Sequence, residues 1–221
     1  MKQYPLNIIA IDGTSASGKG TLAKKLAAHF DFAYLDTGLL YRAVGLAVLR
    51  AGGDPVDAQA AEAAAKNLNF NNFSDPALRD DVAAVAASKV GAVPAVRQAL
   101  VQFQRDFIAH PPDGKKGAVL DGRDIGTVIA PEAPVKIFIT AELETRAMRR
   151  FKELEARNEP AIYKAVLDDM RQRDERDRSR ATAPTVPAAD ATILDTTHMT
   201  ANDVFQEALK IAENKLIKVS A

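Results

Sequence analysis

The chain has 221 residues, 47% of them hydrophobic, enough to bury the core of one compact α/β unit with one inserted subdomain. Lys+Arg 29 balances Asp+Glu 29, so no overall charge draws the chain to nucleic acid or a membrane surface, and small anions are the expected partners. Cys 0 excludes disulfides and thiolate metal sites and suits a reducing compartment.

Met1 to Pro5 leads into the apolar run Leu6-Asn7-Ile8-Ile9-Ala10-Ile11, which Asp12-Gly13 breaks too soon for a signal sequence. No later stretch is long enough to span a bilayer, and a cytoplasmic protein is expected. The run predicts a buried strand. Directly after it come Gly13-Thr14-Ser15-Ala16-Ser17-Gly18-Lys19-Gly20-Thr21, and then the helical pattern from Leu22 to Ala27. Strand, glycine-rich turn and helix start in that order form a phosphate cradle: loop amides converge on an anion, the helix N-terminus adds partial positive charge, and Lys19 reaches the β- and γ-phosphates. The loop is therefore expected to bind a nucleoside triphosphate. Gly20 holds the slot that normally carries Ser or Thr, so the metal-facing hydroxyl arrives one residue late, at Thr21.

Phe32 to Leu35 predicts a second strand ending at Asp36-Thr37-Gly38. Leu39 to Leu49 follows at helical spacing, with Thr37 as its expected cap and Tyr41 and Arg42 a turn along, facing a ligand. Gly52-Gly53 and Pro55 stop that helix. From Pro55 to Pro112 the strand–helix rhythm breaks into three helical stretches, 56–66, 77–90 and 93–108, around the polar run 67–73. So long an excursion between parallel strands reads as a functional insertion. The expected division is a core of 1–54, 110–150 and 184–221, an insertion at 55–109 and a lid at 151–183.

Gly117 to Leu120, Val135 to Ile139 and Ala191 to Leu194 complete five strands, a parallel sheet with helices on both faces. Asp121-Gly122-Arg123-Asp124 follows the third strand, where an acidic residue near Mg²⁺ or its waters is expected. A guanine-specific switch needs Asn-Lys-x-Asp at a strand end. The chain's Asn214-Lys215 sits instead before Leu216-Ile217 in the terminal helix, which argues against a GTPase.

A kinase whose acceptor is itself a phosphate must neutralise two anions before in-line attack, and arginine suits the task through bidentate donors and a permanent charge. Residues 171–180 hold Arg171, Arg173, Arg176, Arg178 and Arg180 in one segment. On a helix, Arg173, Arg176, Asp177 and Arg180 share a face and Asp174 pairs with Arg178 four residues on. Alternating charge of this kind is also what a solvated helix surface looks like. Next to a phosphate loop it reads as a lid that closes over the transferring group and excludes water. His29, His110 and His198 lack ligand spacing, Phe30, Phe32 and Phe138 read as core, and Thr200 to Asp203 as a helix cap.

In their order these motifs resemble the cytidylate kinases, the CMP/dCMP kinases of the nucleoside monophosphate kinase family. The resemblance rests on Ile11 to Thr21, Leu35 to Gly38 with Tyr41-Arg42, Val93 to Arg97 with Gln104-Arg105, Leu120 to Val128, and Arg173 to Ala191. It implies transfer of the γ-phosphoryl of ATP, as its Mg²⁺ complex, to CMP or dCMP. By the same likeness Arg42, Arg123 and Arg180 hold the acceptor phosphate, Tyr41, Arg173 and Asp177 line the ribose site, and Thr37 belongs to the CMP site. Asp124 reads the cytosine amino edge, and Arg176 and Arg178 act with Lys19 on the transferred group. Asp36 and Asp121, with Thr21, are the expected metal positions, directly or through water. Val93, Val101, Gln102 and Phe103 stand where relatives carry polar or basic residues, leaving Ser88, Gln102 and Arg105 as candidates for cytosine. Other P-loop kinases, for UMP, AMP or shikimate, and a nucleotide sensor without turnover remain alternatives. Nothing in the sequence calls for a partner chain, so a monomer is expected.

Overall fold

The computed structural model describes residues 7–69, 73 and 75–220. Leu6, the N-terminal run and Phe70 to Asn72 of the Asn-rich segment lie outside them. Five strands, β1 (Ile8–Gly13), β2 (Ala33–Asp36), β3 (Ala118–Gly122), β4 (Val135–Thr140) and β5 (Thr192–Asp195), form one sheet in the order β2-β3-β1-β4-β5. The pairs β1–β3, β1–β4 and β4–β5 are parallel, with Asp12 beside Gly122 and Phe138. Central strands of this kind are apolar throughout because both faces are covered, and Ile8 to Ile11 are buried accordingly. The loops after β1 and β3 leave adjacent strand ends. In open parallel sheets such a place holds the ligand.

By packing, the chain divides into two compact units, residues 1–35 with 108–221, and residues 36–107. The first has its core between β1, β3, β4 and the helices α1 (Lys19–Phe30) and α8 (Ala201–Ser220), around Ile9, Ile11, Leu26, Val119 and Ile137. Phe30 and Phe32 stack at 5.5 Å on this core and Phe138 is buried, as expected of them. Helices α6 (Leu143–Ala156) and α7 (Tyr163–Ser179) also belong to it.

The second unit holds α2 (Thr37–Arg50), α3 (Ala58–Lys66), α4 (Asp81–Val90) and most of α5 (Pro94–Ala109). Its own core is Leu40, Val44, Val48, Ala61, Val90, Val96 and Leu100. It begins at Asp36, ahead of the boundary expected at 55, because α2 packs directly on α4: a β-carbon on Gly45 would stand 2.7 Å from that of Ala86. The helix expected over 77–90 is interrupted. Asp75 accepts the Ala77 amide at 2.9 Å and opens a short 3₁₀ turn over Pro76–Arg79, and α4 starts afresh after Asp80.

Candidate active site

The phosphate loop runs from Gly13 to α1. Ser15, Ser17 and Lys19 are buried, Thr14 and Gly20 half-buried, and Gly18 and Thr21 exposed. Ala16 and Gly18 take left-handed backbone angles, φ 55 and 94, which wind the loop tightly around its own amides. The Ser17 hydroxyl donates to the Thr14 carbonyl at 3.0 Å, and Lys19 Nζ donates to the same carbonyl, arching back over the loop. Burial drives the Lys19 pKa well below its ordinary value. Arg123 and Arg173 push it the same way, while Asp121 and Asp12 oppose them. Two arginines and two carboxylates thus act on this buried lysine.

Gly20 has a spatial reason. A β-carbon there would lie 3.3 Å from Asp121 Oδ2, the oxygen that accepts the Tyr34 hydroxyl at 2.9 Å. The carboxylate at the end of β3 thus takes up the space beside α1 that a Ser or Thr side chain would need.

Arg123, next along, donates Nε to Asp177 Oδ2 at 3.2 Å and Nη1 to the Gly122 carbonyl at 3.2 Å. Arg180 lies 3.9 Å from Asp177 Oδ1 and donates Nη2 to Thr185 Oγ1 at 3.1 Å. Asp177 is buried, and burial alone would raise its pKa. Arg123, Arg173 and Arg180 together outweigh burial and hold it below the usual carboxylate value. Of the predicted helical face, Arg173 and Arg180 are thus gathered around Asp177, joined by Arg123 from the end of β3. Arg176 is half-buried and Arg178 exposed on the same helix. Asp174 does not pair with Arg178: it is taken by Arg146 at 2.7 Å, a buried pair that joins α6 to α7. Asp124 is buried at the start of a helical turn, Ile125–Ile129, closed by i→i+5 bonds.

In the second unit, Asp36 and not Thr37 stands at the N-cap of α2, and no side chain caps the helix; Thr37 is its buried first residue. The observed cap position thus lies one residue before the expected one. Tyr41 stacks under the Arg97 guanidinium at 5.4 Å, and Arg42 donates to the Leu78 carbonyl at 2.9 Å. Arg105 is half-buried, Ser88 buried in α4, and Gln102 exposed and bonded to Asp106 at 2.7 Å.

Three features escaped the sequence. One is Asp12, a buried carboxylate at the end of β1. Another is Arg146, which donates to Ala141 O at 2.8 Å and Ser15 O at 3.1 Å besides pairing with Asp174. The third is a mainly apolar pocket beside the loop, lined by Thr21, Leu22, Lys25, Arg149, Thr196 and Met199, in which Arg149 donates to Thr196 Oγ1 at 3.1 Å. A charge ending an apolar strand and an arginine on a buried helix face were the available signals for the first two. The pocket joins residues far apart in sequence and had none. Among the described residues no cluster of three or more His, Asp or Glu side chains forms a ready metal site, and no helix is long and apolar enough to cross a membrane.

Sheet order, phosphate loop and arginine cluster together define a P-loop kinase fold. Solved structures share it: a gluconokinase from Sinorhizobium meliloti (TM-score 0.54, 11% identity, 99% of this chain and 98% of that one) and a sugar kinase from Janibacter sp. (0.51, 13%, 95% of each). Within that class the chain belongs to the cytidylate kinase family, whose model matches residues 9–214. Proteins named cytidylate kinase from Paramagnetospirillum magneticum and Rhodospirillum rubrum are 59% and 58% identical to it, each over 94% of this chain and 98% of the relative.

Proposed function

We propose that the chain is a phosphotransferase that moves the γ-phosphoryl of ATP to the 5′-phosphate of CMP or dCMP, giving CDP or dCDP and ADP. An oxygen of the acceptor phosphate forms a bond to the γ-phosphorus as the bond to the β–γ bridging oxygen breaks. The acceptor is already largely ionised near pH 7, so no dedicated base is needed. What the protein must supply is alignment and positive charge. The observation that carries this reading is a gathering of cations in the first unit: Lys19 arches back over the phosphate loop to the Thr14 carbonyl, and Arg123 and Arg180 meet on Asp177 at 3.2 and 3.9 Å.

Loop residues 13–21 receive the triphosphate, and the pocket flanked by Arg149 and Met199 is assigned to the donor's base and sugar. From the first unit we assign Arg123 and Arg180 to the acceptor phosphate, Arg173 and Asp177 to its ribose, Asp124 to the cytosine amino edge, and Arg176 and Arg178 to the transferring group. Thr37, Tyr41, Arg42 and Arg105 are the second unit's proposed contribution. Mg²⁺ bound with ATP supplies charge neutralisation on the phosphates. The Asp121 carboxylate beside Gly20 would hold the ion, with Thr21 and Asp36 as further positions, directly or through water. The proposed working division is a core, an acceptor-binding insertion at 55–109 that draws on the preceding helix, and a lid at 151–183. A chain without cysteine suits the cytoplasm, where we place it as a monomer.

The test is turnover of the purified chain with ATP and Mg²⁺ against CMP, dCMP, UMP and AMP. CMP and dCMP should give the highest kcat/KM. A preference for AMP, or no turnover with any of the four, refutes the assignment.

A further inference from the structure

Asp12 precedes the phosphate loop by one residue, in a strand that otherwise asks for no charge. Ile8 to Ile11 are at most 1% exposed, and Asp12 itself is 5% exposed. A buried carboxylate is costly unless its oxygens are bonded. Here both are: the Ile125 amide donates to Oδ1 at 2.8 Å and the Gly126 amide to Oδ2 at 2.7 Å. These amides open the turn over Ile125–Ile129, where donors lack an internal partner. A side chain from β1 therefore caps a turn that follows β3.

Only Arg123 and Asp124 lie between the capped amides and Gly122, which is itself fixed beside Asp12 in the β1–β3 ladder. Their backbone is pinned at both ends. Gly126 is closely packed as well, since a β-carbon there would stand 3.2 and 3.3 Å from Lys136 carbons and 3.4 Å from Asp12 Oδ2. Lys136 is held in turn by Asp190 at 2.8 Å. Both side-chain hydrogen bonds of Asp12 thus go to the turn after β3, while its charge also acts on Lys19 in the phosphate loop.

We propose that Asp12 is a positioning residue for acceptor binding: by holding the Ile125 and Gly126 amides it fixes Arg123 and Asp124 in register with the phosphate loop. This rests on the assignment of those two residues to the acceptor. Removing the clamp loosens the acceptor's contacts and leaves the donor's in place. A purely structural role would lower stability without separating the two substrates.

Steady-state kinetics on the full chain test it. Asp12→Asn keeps the side-chain shape and one accepting oxygen but turns an amide donor against one of the two N–H groups. KM for CMP should rise about tenfold and KM for ATP change less than about twofold. In an Arg123→Ala background the same substitution should add clearly less than tenfold to KM for CMP, because only the part of its effect that passes through Asp124 remains. Equal rises in both KM values, an unchanged KM for CMP, or a full tenfold effect without Arg123 each overturns the proposal. If Asp12→Asn fails to fold, amide exchange in the unaltered chain decides. Ile125 and Gly126 should exchange slowly and together, and exchange as fast as that of exposed loop amides overturns the clamp. An unaltered chain that does not phosphorylate CMP refutes the functional reading instead, and the KM split is then read on the acceptor it uses.

Discussion

Single side chains in the first unit carry opposite electrostatic strains. Burial, and the neighbouring arginines with it, lower the Lys19 pKa well below its ordinary value, so triphosphate binding should raise it. Calorimetry of ATP binding at alkaline pH, in buffers of different ionisation enthalpy, should show proton uptake that Lys19→Met abolishes. The same variant, and Arg178→Ala, should lower kcat by about 10³-fold, the scale of removing a charge from a phosphoryl-transfer site. Arg178 is exposed, so its loss should leave stability within about 0.5 kcal/mol, and the melting temperature separates the two effects. Asp12 is strained the other way. Burial pushes its pKa from 3.8 to about 6 although the Gly126 and Ile125 amides pull it down. Its native value lies above the unfolded one, so its contribution to stability is complete below pH 3.8 and disappears as pH rises through about 6. The amount is on the order of 3 kcal/mol. Urea unfolding at pH 4.5 and pH 7.5 should show the advantage of the unaltered chain over Asp12→Asn shrinking as pH rises. A constant difference would mean that Asp12 titrates as an ordinary carboxylate.

Between elements, contacts are set by small residues and by buried ion pairs. Gly45→Ala places a methyl 2.7 Å from Ala86 and forces α2 off α4, at about 1–3 kcal/mol. Because α2 also carries Tyr41 and Arg42, KM for CMP should rise while KM for ATP holds. Arg146→Ala leaves Asp174 charged and without its partner in a buried contact between α6 and α7, and should cost about 3–5 kcal/mol in urea unfolding. Asp174→Asn should recover part of that loss. Such pairs mark the limit of what spacing shows. Helical periodicity located α7 and gathered Arg173, Asp177 and Arg180 on one face. It paired Asp174 with Arg178, because the alternative partner lies 28 residues back on another helix. Strand positions were legible because a doubly covered parallel strand needs an unbroken apolar run. The break before α4 was written in Asp75-Pro76 and Asp80, turn-forming residues that the alanine-rich run around them obscures.

For the molecule as a whole, charge balance hides a strongly uneven field. A formal net charge of +0 coexists with arginines from β3 and α7 gathered around one buried aspartate. Binding of a small anion to such a cluster should weaken with salt even though the chain has no net charge to screen. Raising ionic strength from about 0.05 to 0.5 M should increase KM for CMP several-fold with little change in melting temperature. The loop, the arginine segment and the order of motifs were legible because phosphate chemistry demands particular residues at fixed local spacing. The separation at Asp36 was not, since it depends on which helix α2 touches. The chain crosses between its compact units only twice, after Leu35 and after Phe107. Residues 36–107 are therefore one uninterrupted stretch with an apolar interior of their own, the kind of segment that recombination can exchange as a cassette. A chimera taking this stretch from a relative should fold and keep its affinity for ATP, and any change in its choice among acceptors then measures the share carried by Tyr41, Arg42 and Arg105 rather than by Asp124.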